Sequence, residues 1–225
     1  MTETECDNPV RSHSERTEEL RRHVLEVSVE LFIEQGYDKT TTKQIAETAG
    51  ILNGSLFNLF KTKEDIFSAA ITEAIWRAVN GTHRFLPEAS MLMRLGYPIL
   101  LPIYVASKSK PLAELMSRAG KSWQTASRIT DVMVKWIEEN DTDGLFDTHA
   151  QGFRLKLIAC LGAQAILVDK YANDPGDMDA VSTMLLAAEF LTGMFDVPTT
   201  DLRGKVEELY GIMSSGDLVI YGIRL

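Results

Sequence analysis

Two short stretches, residues 41–49 and 53–60, hold side chains whose types and spacing suit contact with a nucleic acid. If Ile45, Ala46, Ala49, Ile51, Leu56 and Phe60 turn inward, then Lys43, Asn53, Gly54, Ser55 and Asn58 turn outward. Small and amide side chains on such a face let a helix lie deep in the major groove, and asparagine can pair with the edge of adenine. Lys63 stands in the first turn of the next helix, where backbone N–H groups and the helix dipole add to its charge. Phosphate binding is the chemistry expected there. The plain alternative is a solvated face of a helical bundle.

The surrounding pattern supplies elements to hold these residues. Leu20, Val24, Val27 and Leu31 recur at helical steps from about Glu15, and Gly36 followed by Tyr37 suits a Schellman stop. Thr41 three residues before Gln44 has capping-box spacing, Gly50 ends that helix, and Thr62 with Asp65 caps the next, expected to run to Asn80 and Gly81. Two short helices joined through a glycine form a helix-turn-helix. Further helices are expected near 88–106 (broken or kinked by Pro98 and Pro102), 110–119, 121–139, 149–172, 177–195 and 201–214. Residues 1–14 read as a disordered tail, 15–62 as a helix-turn-helix domain, and 63–225 as a larger helical domain. The fold class is all-α. The acidic cluster at 140–148 reads as a solvated turn, and the β-branched end near 218–223 as an extended tail.

Composition excludes several functions. Cys6 and Cys160 cannot build a disulfide scaffold, and the four scattered histidines lack metal-ligand spacing, so no metal or cofactor is expected. His83 beside Arg84 and His149 near Asp147 could suggest catalysis, but no nucleophile motif accompanies them. The apolar run 96–106 is about half the roughly 20 residues that span a bilayer. The acidic start does not read as a signal peptide, so no membrane partner and a cytoplasmic location are expected. The net charge is −9, but residues 11–63 carry eight bases and eight acids, so the excess acid lies elsewhere. A small module can bind a polyanion from an acidic protein if its bases share a face.

Taken in order, residues 31–37, Thr40-Thr41, Ile45-Ala46, Ala49-Gly50, 54–57 and 60–64 resemble the N-terminal domain of TetR-family transcriptional regulators. The resemblance covers about residues 16–67. It implies that Thr41 caps a helix and touches phosphate, that Gly54 admits close approach to DNA, and that Lys63 contacts the backbone. Lys61 belongs to the same run and joins the expected DNA-facing set. Phe57 stands where the family commonly has a phosphate-binding tyrosine, Leu59 where it has tyrosine or histidine, and Leu52 where it has a serine or threonine cap. The partners implied are double-stranded DNA, a small-molecule inducer and a second copy of the chain.

Trp76, Phe85, Tyr97, Tyr104, Met116, Trp123, Met133 and Phe153 make the middle of the chain rich in aromatic and methionine side chains. Such side chains pack a core or line an adaptable apolar pocket. The resemblance implies an inducer site there, and the absence of a basic cluster points to an apolar or aromatic molecule. It also implies a two-fold interface of four helices, in which Ala159, Gly162, Ala163, Ala187 and Gly193 allow close approach. The expected function is a ligand-responsive regulator, and a repressor in particular. The rivals are a helical module without DNA specificity and an all-helical enzyme.

Overall fold

The computed structural model describes residues 12–174, 176, 179–215, 219–220 and 223–224, with the backbone alone at Phe85 and in the last four. Most of the expected tail lies outside the described residues, but Ser12 already caps a helix. Ser12 Oγ accepts from the Glu15 amide at 3.2 Å, and Glu15 Oε2 accepts from the Ser12 amide at 2.7 Å. This capping box starts α1 (His13–Gln35) two residues earlier than the apolar spacing alone implies. Gly36 ends α1 with φ +87° and ψ 150°, a positive-φ conformation that favours glycine but not the left-handed helical turn of a Schellman cap. Tyr37 still packs back on α1, its ring centroid 5.1 Å from that of Phe32.

α2 (Thr42–Thr48) and α3 (Asn53–Leu59) follow, joined through Gly50 at φ +67°. Ile45, Leu56 and Phe60 are buried with Val24 and Val27, as the inward pattern requires. Truncating Leu56 to alanine would cost about 2–5 kcal/mol as a buried leucine. α4 (Lys63–Phe85) begins with a second capping box, Thr62 with Asp65. It passes through Gly81 instead of stopping there, because Val79 and Thr82 on either side are fully buried. That burial outweighs the roughly 1 kcal/mol an interior glycine costs. Phe67 on α4 makes edge contacts with both Phe32 and Tyr37. The expected boundary at residue 63 falls at the start of α4, whose first turns pack on α1.

The remaining helices are α5 (Met91–Lys108), α6 (Lys110–Lys121), α7 (Trp123–Asn140), α8 (Phe153–Asn173), α9 (Ala180–Met194) and α10 (Leu202–Ser215). Neither Pro98 nor Pro102 breaks α5. Fourteen of its eighteen residues are buried, and α4, α6, α8, α9 and α10 all pack against it. That enclosure holds the helix together where its ladder lacks two N–H donors. Residues 149–152 form a turn rather than helix, ending at Gly152 with φ +83°. The expected solvated turn at 140–148 is organised by Asp141, whose carboxylate accepts from the amides of Leu145 and Phe146 at 3.0 and 2.7 Å. At the end of the chain β1 (Val219–Ile220) pairs antiparallel with β2 (Ile223–Arg224), a two-residue hairpin instead of a simple extended tail. Among the described residues no helix is long and apolar enough to cross a membrane.

Candidate nucleic-acid interface

The outer face of α3 is set by which residues its core contacts leave over. Asn53, Gly54, Phe57 and Asn58 are exposed, while Ser55 and Leu59 are only half exposed. Ser55 therefore sits at the edge of the face, not at its centre. A Cβ built on Gly54 meets nothing within 4 Å, so no part of the protein requires a glycine at this point of the helix. Leu52 at the cap is 79% exposed and makes no side-chain hydrogen bond. Phe57 is 49% exposed, an apolar ring on an otherwise polar face.

Basic side chains flank this face. Lys43 on α2 is exposed and lies 3.7 Å from Glu47, and Lys61 donates to the Phe57 carbonyl at 3.0 Å. Thr41 performs its capping role, its Oγ1 accepting from the Gln44 amide at 3.2 Å. Lys63 does not stand free at the surface. Its Nζ donates to the carbonyls of Tyr37 and Thr40, each at 2.8 Å, and rests 4.2 Å from the Tyr37 ring centre. Partial burial holds its ammonium below the ordinary lysine value, against the pull of Asp38. The reason is local geometry: the first turn of α4 faces the 37–40 turn, whose carbonyls point at it. Lys63→Ala should therefore lower the melting temperature, by about 2–4 °C per kcal/mol lost in a chain of this size. A DNA-affinity loss at unchanged melting temperature would restore the clamp.

Sequence reasoning missed a cluster behind the reader. Arg118 on α6 donates to Asp38 at 2.7 Å and lies 4.0 Å over the Tyr37 ring, opposite in sequence by 80 residues. The Tyr37 hydroxyl donates to Glu64 at 2.9 Å, and Ser122 donates to the other Glu64 oxygen at 2.7 Å. Burial and that bond to Glu64 raise the Tyr37 hydroxyl well above its ordinary value. Gln124 on α7 donates to Asp65 at 2.8 Å, which lowers the Asp65 carboxyl together with the Thr62 cap and the Arg128 charge. Asp169 on α8 is lowered by Lys121 at 2.9 Å and by Ser117 at 2.8 Å. Polar bonds thus run from the helix-turn-helix through α4 and α6 to α8.

Residues 24–70 match the family model for bacterial regulatory proteins of the tetR type. The chain is 38% identical over 58 residues to the HTH-type transcriptional regulator AcrR of Shigella flexneri, spanning 26% of this chain and 27% of that protein. It is 31% identical over 214 residues to the HTH-type transcriptional regulator TtgR of Pseudomonas putida, spanning 88% of this chain and 91% of TtgR. The chain belongs to the TetR family. A solved structure of RolR in complex with resorcinol shares the fold at TM-score 0.57 and 15% identity, over 92% of this chain and all of that one.

As a TetR-family member the chain is a ligand-responsive, DNA-binding transcriptional regulator, not an enzyme. His83 Nε2 lies 2.8 Å from Asn140 Oδ1, and the His149 backbone amide donates to Asp147 at 3.1 Å. Phe57 is the departure from the TetR-family pattern that stands on the outer face of α3 itself. Phe57→Tyr should tighten DNA binding about tenfold without changing the melting temperature. A hydrogen bond to a charged group contributes about 1.5–3 kcal/mol, less for a half-exposed ring. Equal affinity of the two proteins across a salt titration would place the ring away from phosphate.

The expected pocket set is scattered by the fold. Met116 and Met133 line a small cavity between α4 and α8, together with Pro98, Pro102 and Gln164. Trp76 and Trp123 are 52% and 67% exposed, so neither lines an enclosed site. Tyr104 packs instead on Tyr210 of α10, at 5.5 Å, and Phe153 on Phe146 and Phe195. Tyr97 is buried in α5 away from the cavity wall, and the Phe85 side chain lies outside the described residues. On the expected interface Ala159 and Gly193 are exposed, and Gly162 and Ala163 half exposed. Ala187 is corrected to the interior: it is 8% exposed and belongs to the core.

Proposed function

We propose that two copies of this chain grip a pseudo-palindromic operator and release it when a small apolar or aromatic molecule enters the helical domain. In this reading α3 of each copy enters a major groove, Asn53 and Asn58 meet base edges, and Thr41, Lys43 and Lys61 lie along phosphates. Half-sites would be about 34–36 Å apart, one turn of the duplex. Copies would pair through α8 and α9, whose exposed Leu155, Ile166, Leu186 and Phe190 form apolar stripes with Ala159, Gly162 and Gly193 between them.

The observation that carries the switch is the two-sided role of α6. Met116, Ala119 and Gly120 stand on the cavity wall, while Arg118 from the same helix holds Asp38 and Tyr37 beneath the reader. A molecule that widens the cavity displaces the helix that braces the reader, and it shifts DNA affinity only if it binds the two arrangements unequally. Operator release measured by fluorescence anisotropy, against the duplex upstream of the chain's own coding sequence, tests this. Binding with no sequence preference would return the helical-module rival, which the intact helix-turn-helix and the relation to TtgR otherwise disfavour.

A further inference from the structure

Among the described residues three buried side-chain atoms have no hydrogen-bond partner: Ser68 Oγ, Trp136 Nε1 and Gln164 Nε2. Of these, Gln164 alone stands on the wall of the cavity between α4, α5, α6, α7 and α8. It is 7% exposed, and every other described side chain on that wall is hydrocarbon, thioether or glycine. Burying an amide donor without a partner is unfavourable, and a leucine would fill the same space without that penalty.

We propose that this cavity receives a small, neutral, mostly apolar molecule carrying a carbonyl or similar acceptor oxygen, to which Gln164 Nε2 donates a hydrogen bond. An anion or a cation is disfavoured because no opposite charge lines the wall to offset its desolvation. The cavity measures about 30 Å³, room for a water or two, so a guest enters only as the wall gives. The wall that gives is α6: a Cβ at Gly120 would come within 2.3 Å of the Ala165 Cβ, so α6 rests directly on α8 beside Gln164, and a guest seated there parts the two helices. Thioethers at Met116 and Met133 adjust their shape around it.

This inference rests on the regulator reading of the same domain and specifies the ligand that domain takes. The probes are acetophenone and α-methylstyrene, equal in shape, with the ketone oxygen replaced by a methylene. Titration calorimetry on the full chain should give a ketone-to-hydrocarbon affinity ratio that falls about tenfold in Gln164→Leu. Gln164→Leu should also melt a few degrees higher without probe, since it removes the unpaired amide. Gln164→Met serves as a second variant of similar length. An unchanged ratio in both variants, or wild-type protein that binds neither probe, overturns the proposal. Specific DNA binding is measured on the same samples. If it is absent while the ketone preference persists, the regulator reading fails and the assignment to Gln164 stands.

Discussion

Gly54→Leu should abolish specific DNA binding while leaving the folded protein intact. The position faces open space, so a leucine there touches nothing in the chain itself. A helix interior favours alanine over glycine by about 0.5–1 kcal/mol, which makes Gly54→Ala a control with equal or higher stability. The isobutyl group matters only when something approaches α3 closely, and it then holds the helix away from the groove floor. Losing two base contacts of about 1–3 kcal/mol each in two half-sites lowers affinity by about 1,000-fold or more. Anisotropy on the upstream duplex measures the affinity, and thermal melting measures the fold. Unchanged affinity in Gly54→Leu would mean that α3 is not the reader.

A comparable loss should follow from charging the stripes on α8 and α9. Ile166 and Phe190 are 61% and 41% exposed on a single copy and belong to no part of the buried core, so Ile166→Glu with Phe190→Glu leaves that core unchanged. In a two-fold interface each change appears twice, and four carboxylates would have to be desolvated among apolar partners. The double variant should sediment as a monomer with its helix content retained. Operator affinity should fall by about 100- to 10,000-fold, since the second half-site contact is no longer intramolecular. A variant that still sediments as a dimer would move the interface elsewhere, and a monomer with full affinity would remove the need for pairing.

The helix-turn-helix was legible because its signals are local. Thr41 with Gln44 and Thr62 with Asp65 are read from neighbours three apart, and both boxes form. Gly36 and Gly50 mark stops through a backbone that other residues rarely adopt. The helical domain yielded its helices but not their faces. α8 is apolar nearly all round, so spacing could not separate its outward Ala159 from residues that pack within the chain, and the same ambiguity sent Ala187 outward. Richness in tryptophan says nothing about direction, and Trp76 and Trp123 stand at the surface instead of on a pocket wall within the helical domain. The pairing of Arg118 with Asp38 spans 80 residues and leaves no mark on either segment alone. Gln164 is one amide in an apolar helix, and only its missing partner distinguishes it.

The outward position of Trp76 changes what the protein's light reports. Its indole stands on α4 at a groove whose walls include Glu18, Arg21, Arg22 and Leu25 of α1 and Arg128 and Val132 of α7. Ultraviolet emission from that ring responds to the water and charges around it, and those come from α1 on one side and α7 on the other. Trp123 lies at the first position of α7, and Trp136 is sealed inside the same helix. The chain therefore carries a built-in gauge of the joint between its halves. A shift in the emission of Trp76 on adding a compound registers a change at the groove between α1, α4 and α7.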